Sequence, residues 1–451
     1  MERNTTEITL KRMLIIALPM IASQASETVM LFLNRWFVSH LGADHIPASM
    51  VGGLTQFVFT SFFMGITGYV NALSAQYFGA RKEGRCVEAA SQGFWLCLAF
   101  YPLLLLLIPA GRQLFVWAGH SPAQVALEFS YYRILMSGSI LFLIQSVLTG
   151  YFVGLGKTRV VMIANTLGIL VNVPMNWSLV LGNLGFPKMG IEGAAIGTLC
   201  GTLFIVLILL FSYLFGPGYR KHGGLRAWRP QADLLAKLLR FGLPAGAESF
   251  ISVFAFNVFI LLMDSYGPQV AAAVTITFNY DLVSFIPMLG VGAAVTAMVG
   301  QCMGAGNPAG ARKAAYLGLR VAWGYAGLMV LLFLAGAPFL VRFFTRGFTE
   351  ADQAIIPLAE TLLRLAALYI LADATQVVFS GALRGAGDTR WVMFLSGTLH
   401  WIMAICALLF IKVFVLPPVA VWLFFILFVI SMGVSMFLRH RGGKWEKIRL
   451  V

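Results

Sequence analysis

Ionised side chains are scarce in this chain. Only 11% of its 451 residues are charged, against roughly 25% in an ordinary soluble domain. That leaves too few charges to cover a water-facing surface, which excludes a soluble enzyme, a disordered scaffold and a nucleic-acid binder with a separate basic domain. The five cysteines, Cys86, Cys97, Cys200, Cys302 and Cys406, show no CxxC spacing, so they suggest neither a metal site nor a disulfide framework. HExxH, GxSxG and a selectivity-filter-like loop are missing as well, which argues against a membrane-embedded enzyme or a channel. Long polar stretches are also missing: the longest, 216–236, is too short for an appended soluble domain. What remains is 59% hydrophobic and 13% aromatic, with a mean hydropathy of +0.84.

A helix crosses a bilayer with about 20 predominantly apolar residues. Twelve runs meet that length: 10–38, 46–77, 86–109, 124–154, 158–182, 190–215, 237–264, 269–303, 311–340, 353–385, 390–414 and 417–438. Lys11 and Arg12 before the first run resemble the start of a signal peptide, but the run is too long and lacks a convincing cleavage site, so it reads as a retained span. The net charge of +14 follows topology. Of the 32 Lys and Arg residues, 23 fall in the termini and the loops on one side. Five fall on the other side (Arg112, Lys188, Arg342, Arg346, Lys412), and Arg35, Arg133, Arg320 and Arg364 fall within runs. The basic side is the cytoplasmic one, so a multi-pass protein of the inner or plasma membrane with both termini in the cytoplasm is expected.

The chain repeats itself. At an offset of 225, Pro19 matches Pro244, Gly42 matches Gly267, Gly65 matches Gly290, Gln76 matches Gln301 and Gly79 matches Gly304. The offset then becomes 231. There Arg133 matches Arg364, Gln145 matches Gln376, and TGYFVGLGKTRVVM (149–162) matches SGALRGAGDTRWVM (380–393). A unit of six spans enters the membrane in the same direction both times. Parallel repeats of this kind form transporters with the substrate site between the halves. The expectation is an all-α polytopic membrane protein: twelve transmembrane helices in two parallel six-helix repeats around a central cavity. Residues 1–215 form the N-terminal lobe, 216–236 a flexible linker loop and 237–451 the C-terminal lobe with a short tail.

Ionisable residues inside apolar spans cost about 2.5–3.5 kcal/mol at a helix centre on insertion scales, so they mark function by default. Four of the 18 acids lie deep in spans: Glu27, Glu248, Asp281 and Asp373. Each can exchange a proton or Na⁺; the structural alternative is a carboxyl locked in a hydrogen bond to a neighbouring helix. His400 stands alone in span 11 and reads as a satisfied interior group. Arg384, Asp388 and Arg390 read as fixing the turn after span 10. Pro19, Pro244 and Pro287 could bend spans during a rocking motion or simply hold a static kink.

Over nearly its whole length the chain resembles the multidrug and toxic compound extrusion (MATE) family. The resemblance rests on the 6+6 arrangement, Leu18-Pro19 and Leu243-Pro244 in spans 1 and 7, "QYFGARKEG" and "GQCMGAGNPAGARKAA" after spans 2 and 8, and the Gly-x-Gly-x-Thr-Arg turns after spans 4 and 10. It implies a non-enzymatic antiporter, coupled to H⁺ or Na⁺, that exports small amphipathic and often cationic organic compounds. It further implies a monomer in the lipid bilayer with no bound cofactor or metal and no nucleic-acid partner.

"YILADATQ" places Tyr369 and Asp373 where the NorM-like branch has its span-10 tyrosine and cation-binding aspartate. That branch has a span-7 glutamate where this chain has Ser252; Glu248 lies one turn earlier. In the N-terminal lobe, Asn34 stands at a family aspartate, and Asn172 and Asn176 match an Asn-x-x-x-Asp pair. Thr198 fits a polar position in span 6. The deep acids and the resemblance together give an expected cation-coupling set of Asp373, Glu248, Asp281 and Tyr369. Glu27, Asn34, Asn172, Asn176 and Thr198 are expected to form a polar substrate or secondary cation site. The alternative is a flippase of the wider superfamily for an anionic lipid-linked precursor, which Arg35, Arg133 and Arg364 within spans keep open.

Overall fold

A computed structural model describes residues 8–42, 44–344 and 355–451. Every regular element among them is helical, as a chain in hydrocarbon must be to satisfy its own backbone groups. Span 1 is Leu10–Ser39, span 2 His45–Gly68 continued by Val70–Gly79, and span 3 Glu83–Leu106 continued by Ile108–Trp117. Span 4 joins Pro122–Ser137 to Ser139–Gly154, span 5 is Thr158–Leu181 and span 6 Gly190–Leu214. The second set is span 7 (Ala232–Asp264), span 8 (Pro268–Gly304), span 9 (Pro308–Phe344), span 10 (Ile355–Ala386), span 11 (Thr389–Lys412) and span 12 (Pro418–Arg441). Eleven of these helices are long and apolar enough to cross a bilayer, and span 4, bent by 47°, makes twelve. Start signals agree with the chemistry. Thr9 and Ser121 cap spans 1 and 4 by accepting from the backbone N–H groups of Arg12 and Gln124, and Pro122, Pro268 and Pro418 open spans where a missing N–H costs nothing.

Two differences from the sequence expectation are informative. Span 7 starts at Ala232 rather than 237 because Lys237 and Arg240 ride on its first turns, outside the apolar stretch. The linker before it is docked rather than loose. It forms the helices Pro217–His222 and Leu225–Trp228, its Trp228 ring stacks on Phe94 of span 3 at 5.3 Å, and the Arg229 and Trp228 carbonyls accept from Gln92 and Trp95. Two aromatic anchors outweigh the glycines on either side. Arg3 and Arg346 of the charge count lie outside the described residues.

The repeat is visible in the backbone. Gly156 and Gly387, 231 apart, both adopt left-handed φ, 73° and 99°. Across the lobe boundary span 1 packs on span 8 and span 2 on span 7. A Cβ at Gly65 would lie 2.5 Å from Gly246 Cα, and one at Gly290 would lie 2.7 Å from Ile21 N; Gly246 and Ile21 are themselves 225 apart. Small residues allow that approach without a hydrophobic drive inside a membrane. Nearer the ends of the same helices, Gln76 Nε2 donates to Gly385 O and Gln301 Nε2 to Gly154 O, both at 2.8 Å, which is again one contact made twice. Arg12 on Gln301 (2.6 Å) and Lys237 on Tyr77 (3.2 Å) add two more cross-lobe bonds; the two basic residues are 225 apart, while their partners differ in register by one residue. These cross-lobe bonds all lie toward the face that carries the linker and the C-terminal tail, here the terminal face. The tail returns to that face, with Trp445 buried and stacked on His440 at 4.9 Å.

Candidate functional site

The sequence-selected polar residues fall into four clusters, two in each lobe. In the half of the C-terminal lobe away from the terminal face, Asp281 of span 8 meets Tyr369 and Asp373 of span 10. Tyr369 and Asp373 are one turn apart and share a helix face. Asp281 and Asp373 are half-buried and close enough for their charges to oppose each other. The Tyr369 side chain is buried edge-on against Phe425, 5.7 Å between centroids. Its hydroxyl neighbours Asp281 yet has no hydrogen-bond partner of normal geometry. Two carboxylates and one buried O–H therefore converge with bonding capacity unspent.

Glu248 is elsewhere. Its carboxylate forms an ion pair with Arg384, which lies eleven residues further along span 10 than Asp373, about 16 Å at 1.5 Å per residue. Ser396 Oγ of span 11 is 3.5 Å from the same carboxylate and 3.4 Å from Ser252 Oγ. His400 Nδ1 sits 2.8 Å from the Ser396 carbonyl oxygen. The expected coupling set thus separates into an acid pair with a tyrosine and, nearer the terminal face, a carboxylate that the chain itself neutralises.

In the N-terminal lobe, Glu27 of span 1 accepts from Asn165 Nδ2 of span 5 at 3.0 Å and from Gln145 Nε2 of span 4 at 3.4 Å. The same Asn165 amide donates to Ser23 Oγ at 2.6 Å, while its own buried oxygen has no partner. Seven residues further along both helices, Asn34 Nδ2 donates to Thr198 Oγ1 and Asn176 Nδ2 to Asn34 Oδ1, each at 2.8 Å. Asn172 Nδ2 donates to Gly197 O at 3.0 Å. All four of these side chains are buried. Glu27 and the asparagines thus form two layers rather than one site.

Sequence reading missed Ser23, Asn165, Ser396 and the partnering role of Arg384. A signal for the first three was present. Asn165 precedes Asn172 by seven residues, as Glu27 precedes Asn34, and Ser23 and Asn165 become Glu248 and Ser396 under the two offsets. Glu128 was missed as well; it is buried near the start of span 4 and held by His120 (2.9 Å) and Gln124 (3.2 Å). The span arginines make no common site: Arg364 pairs with Glu360 on its own helix, Arg133 lies over the Phe129 ring, and Arg35, Arg133 and Arg364 are all exposed. Asp388 fixes the turn after span 10 through Arg439 at 2.8 Å. The described residues contain no group of three or more His, Cys, Asp or Glu that could hold a metal ion.

Comparison with known proteins gives one family. The MatE family profile matches residues 19–178 and 244–409. Among solved structures, the fold is similar to that of a multidrug resistance MATE family transporter of the MOP superfamily in an outward-facing conformation. The TM-score is 0.88 at 21% identity, over 98% of this chain and 97% of that one. It is also similar to a MOP superfamily transporter from Pyrococcus furiosus, described as having a binding pocket of reverse polarity, with TM-score 0.87, 21% identity and 97% of both chains covered. A third is MATE in complex with MaL6, at TM-score 0.86 and 22% identity over 96% of each chain.

Proposed function

Because this chain belongs to the MatE family of membrane transporters, we propose that it exports small amphipathic organic cations in exchange for H⁺ or Na⁺. The observation that carries the reading is the meeting of Asp281, Asp373 and Tyr369. Facing carboxylates repel, and a cation between them relieves that repulsion while the tyrosine oxygen adds a neutral ligand. With H⁺, one carboxyl becomes a donor to the other; with Na⁺, the three oxygens form part of its coordination shell. Loading the ion neutralises the pair, and antiport follows when the lobes change face with either the ion or the organic cation bound but not with both.

The terminal face, rich in Lys and Arg, is the cytoplasmic one in this reading. The paired Gln76/Gly385 and Gln301/Gly154 bonds then close the cytoplasmic end, and the lobes face outward. Alternating access breaks these symmetric contacts and remakes packing at the other end. Glu248 lies outside the exchange site in this account. Its Arg384 partner supplies a fixed positive charge, and the pair ties span 7 to span 10. Ethidium loaded into proteoliposomes should leave in response to an imposed proton gradient or an imposed sodium gradient. A chain that ignores both gradients, or that moves an anionic lipid-linked substrate instead, would refute the proposal.

A further inference from the structure

The two lobes place a carboxylate at nearly the same spot and treat it differently. Ser23, Glu27 and Asn165 in spans 1 and 5 correspond, by offsets of 225 and 231, to Glu248, Ser252 and Ser396 in spans 7 and 11. The contacts correspond too: Asn165 with Ser23 and Glu27, Ser396 with Glu248 and Ser252. In each lobe one of the two span positions holds an acid, shifted by one turn. In the C-terminal lobe span 10 completes the cluster with the Arg384 guanidinium on Glu248. The position 231 residues before Arg384 is Val153, and the span-4 side chain that reaches Glu27 is the neutral amide of Gln145. Among the described residues Glu27 has no ion pair. Its partners are two amide N–H donors, and the buried Asn165 oxygen beside it has no donor.

A half-buried carboxylate held only by neutral groups is costly unless a cation joins it. The symmetry-related cluster displays what that cation looks like, a delocalised nitrogen cation entering from the side of spans 4 and 10. We propose that Glu27, with Asn165 and Gln145, is the docking point for the positive head of an exported organic monocation. The bound substrate does in the N-terminal lobe what Arg384 does in the other, and the unpartnered Asn165 oxygen accepts an N–H from the substrate. This inference rests on the export reading above and adds to it a binding site separate from the coupling acids.

The test is equilibrium binding of ethidium, followed by fluorescence anisotropy, to the full-length purified chain. Glu27→Gln keeps the side-chain size and removes the charge; it should weaken binding by at least about tenfold, as truncating one partner of a buried charge pair does. Glu27→Asp retains the charge and should bind within about threefold of the unsubstituted chain. Asp373→Asn should lose gradient-driven export. Equal affinity in Glu27→Gln and the unsubstituted chain overturns the Glu27 assignment and leaves the export reading intact. Absence of both binding and transport in the unsubstituted chain overturns both.

Discussion

The N-terminal and C-terminal lobes share a backbone plan and differ in how they use charge. Spans 5 and 11 begin and end 231 residues apart, Thr158–Leu181 and Thr389–Lys412, and the lobe boundary repeats its glycine and glutamine contacts. The polar interiors do not repeat. The C-terminal lobe holds a pair of opposed aspartates and, separately, a neutralised Glu248–Arg384 pair. In its polar interior the N-terminal lobe holds, among the described residues, the glutamate Glu27 without an ion pair and a buried amide layer of Asn34, Asn172, Asn176 and Thr198, in which the Asn172 and Asn176 oxygens have no partner. Duplicated frames can therefore divide labour. In the proposed reading, one lobe carries groups that exchange a small cation, and the other offers an anionic anchor beside groups that do not change charge.

The sharpest way to break this division is at the ion pair. Arg384→Met leaves Glu248 buried at 3% exposure without its counter-charge, and removing one partner of a buried pair costs about 3–5 kcal/mol. Thermal unfolding in detergent should show the loss, and Glu248→Gln in the same chain should recover most of it. If Arg384→Met is neutral, the pair is not the strut described. A smaller effect is expected from Asn34→Asp, which converts an amide that donates to Thr198 into a group that accepts only. It should lower stability by about 1–3 kcal/mol while leaving gradient-driven efflux in place; a gain of a second coupled ion would show that the amide layer had only lacked its acid. The smallest effect belongs to the lobe boundary. Gln76→Ala removes one cross-lobe hydrogen bond, worth about 1 kcal/mol, and Gln301→Ala removes two, since Gln301 also accepts from Arg12. Closure of the terminal face, read from interlobe distance by paired spin labels, should therefore loosen more in Gln301→Ala than in Gln76→Ala. Equal shifts would mean that Arg12 on Gln301 contributes nothing to closure.

Span count, the repeat and the acids were legible in the sequence because each is a one-dimensional signal: run length, constant offset, and charge where charge is costly. Asp281 and Asp373, on spans 8 and 10, were picked out singly on that basis. Their meeting was not legible, since helix rotation about its own axis is set by packing. The same limit hid the separation of Glu248 from Asp373. Both count as deep acids along the chain, yet the partner that separates them is an arginine at the end of span 10 that looks like a turn residue in sequence. The linker was misread as loose for a related reason. Its glycines are local signals, whereas the Phe94 face that receives Trp228 is contributed by a helix more than a hundred residues earlier.

Confinement of coupling to the aspartate pair is open to direct measurement. Proteoliposomes bearing Asp373→Asn can be assayed for two activities side by side: exchange of ethidium across the membrane without a gradient, and net ethidium export driven by an ion gradient. The account predicts that exchange persists, because the Glu27 anchor and both lobes are intact, while gradient-driven export falls to the level of empty liposomes. Gradient-driven export at the unsubstituted rate would contradict it.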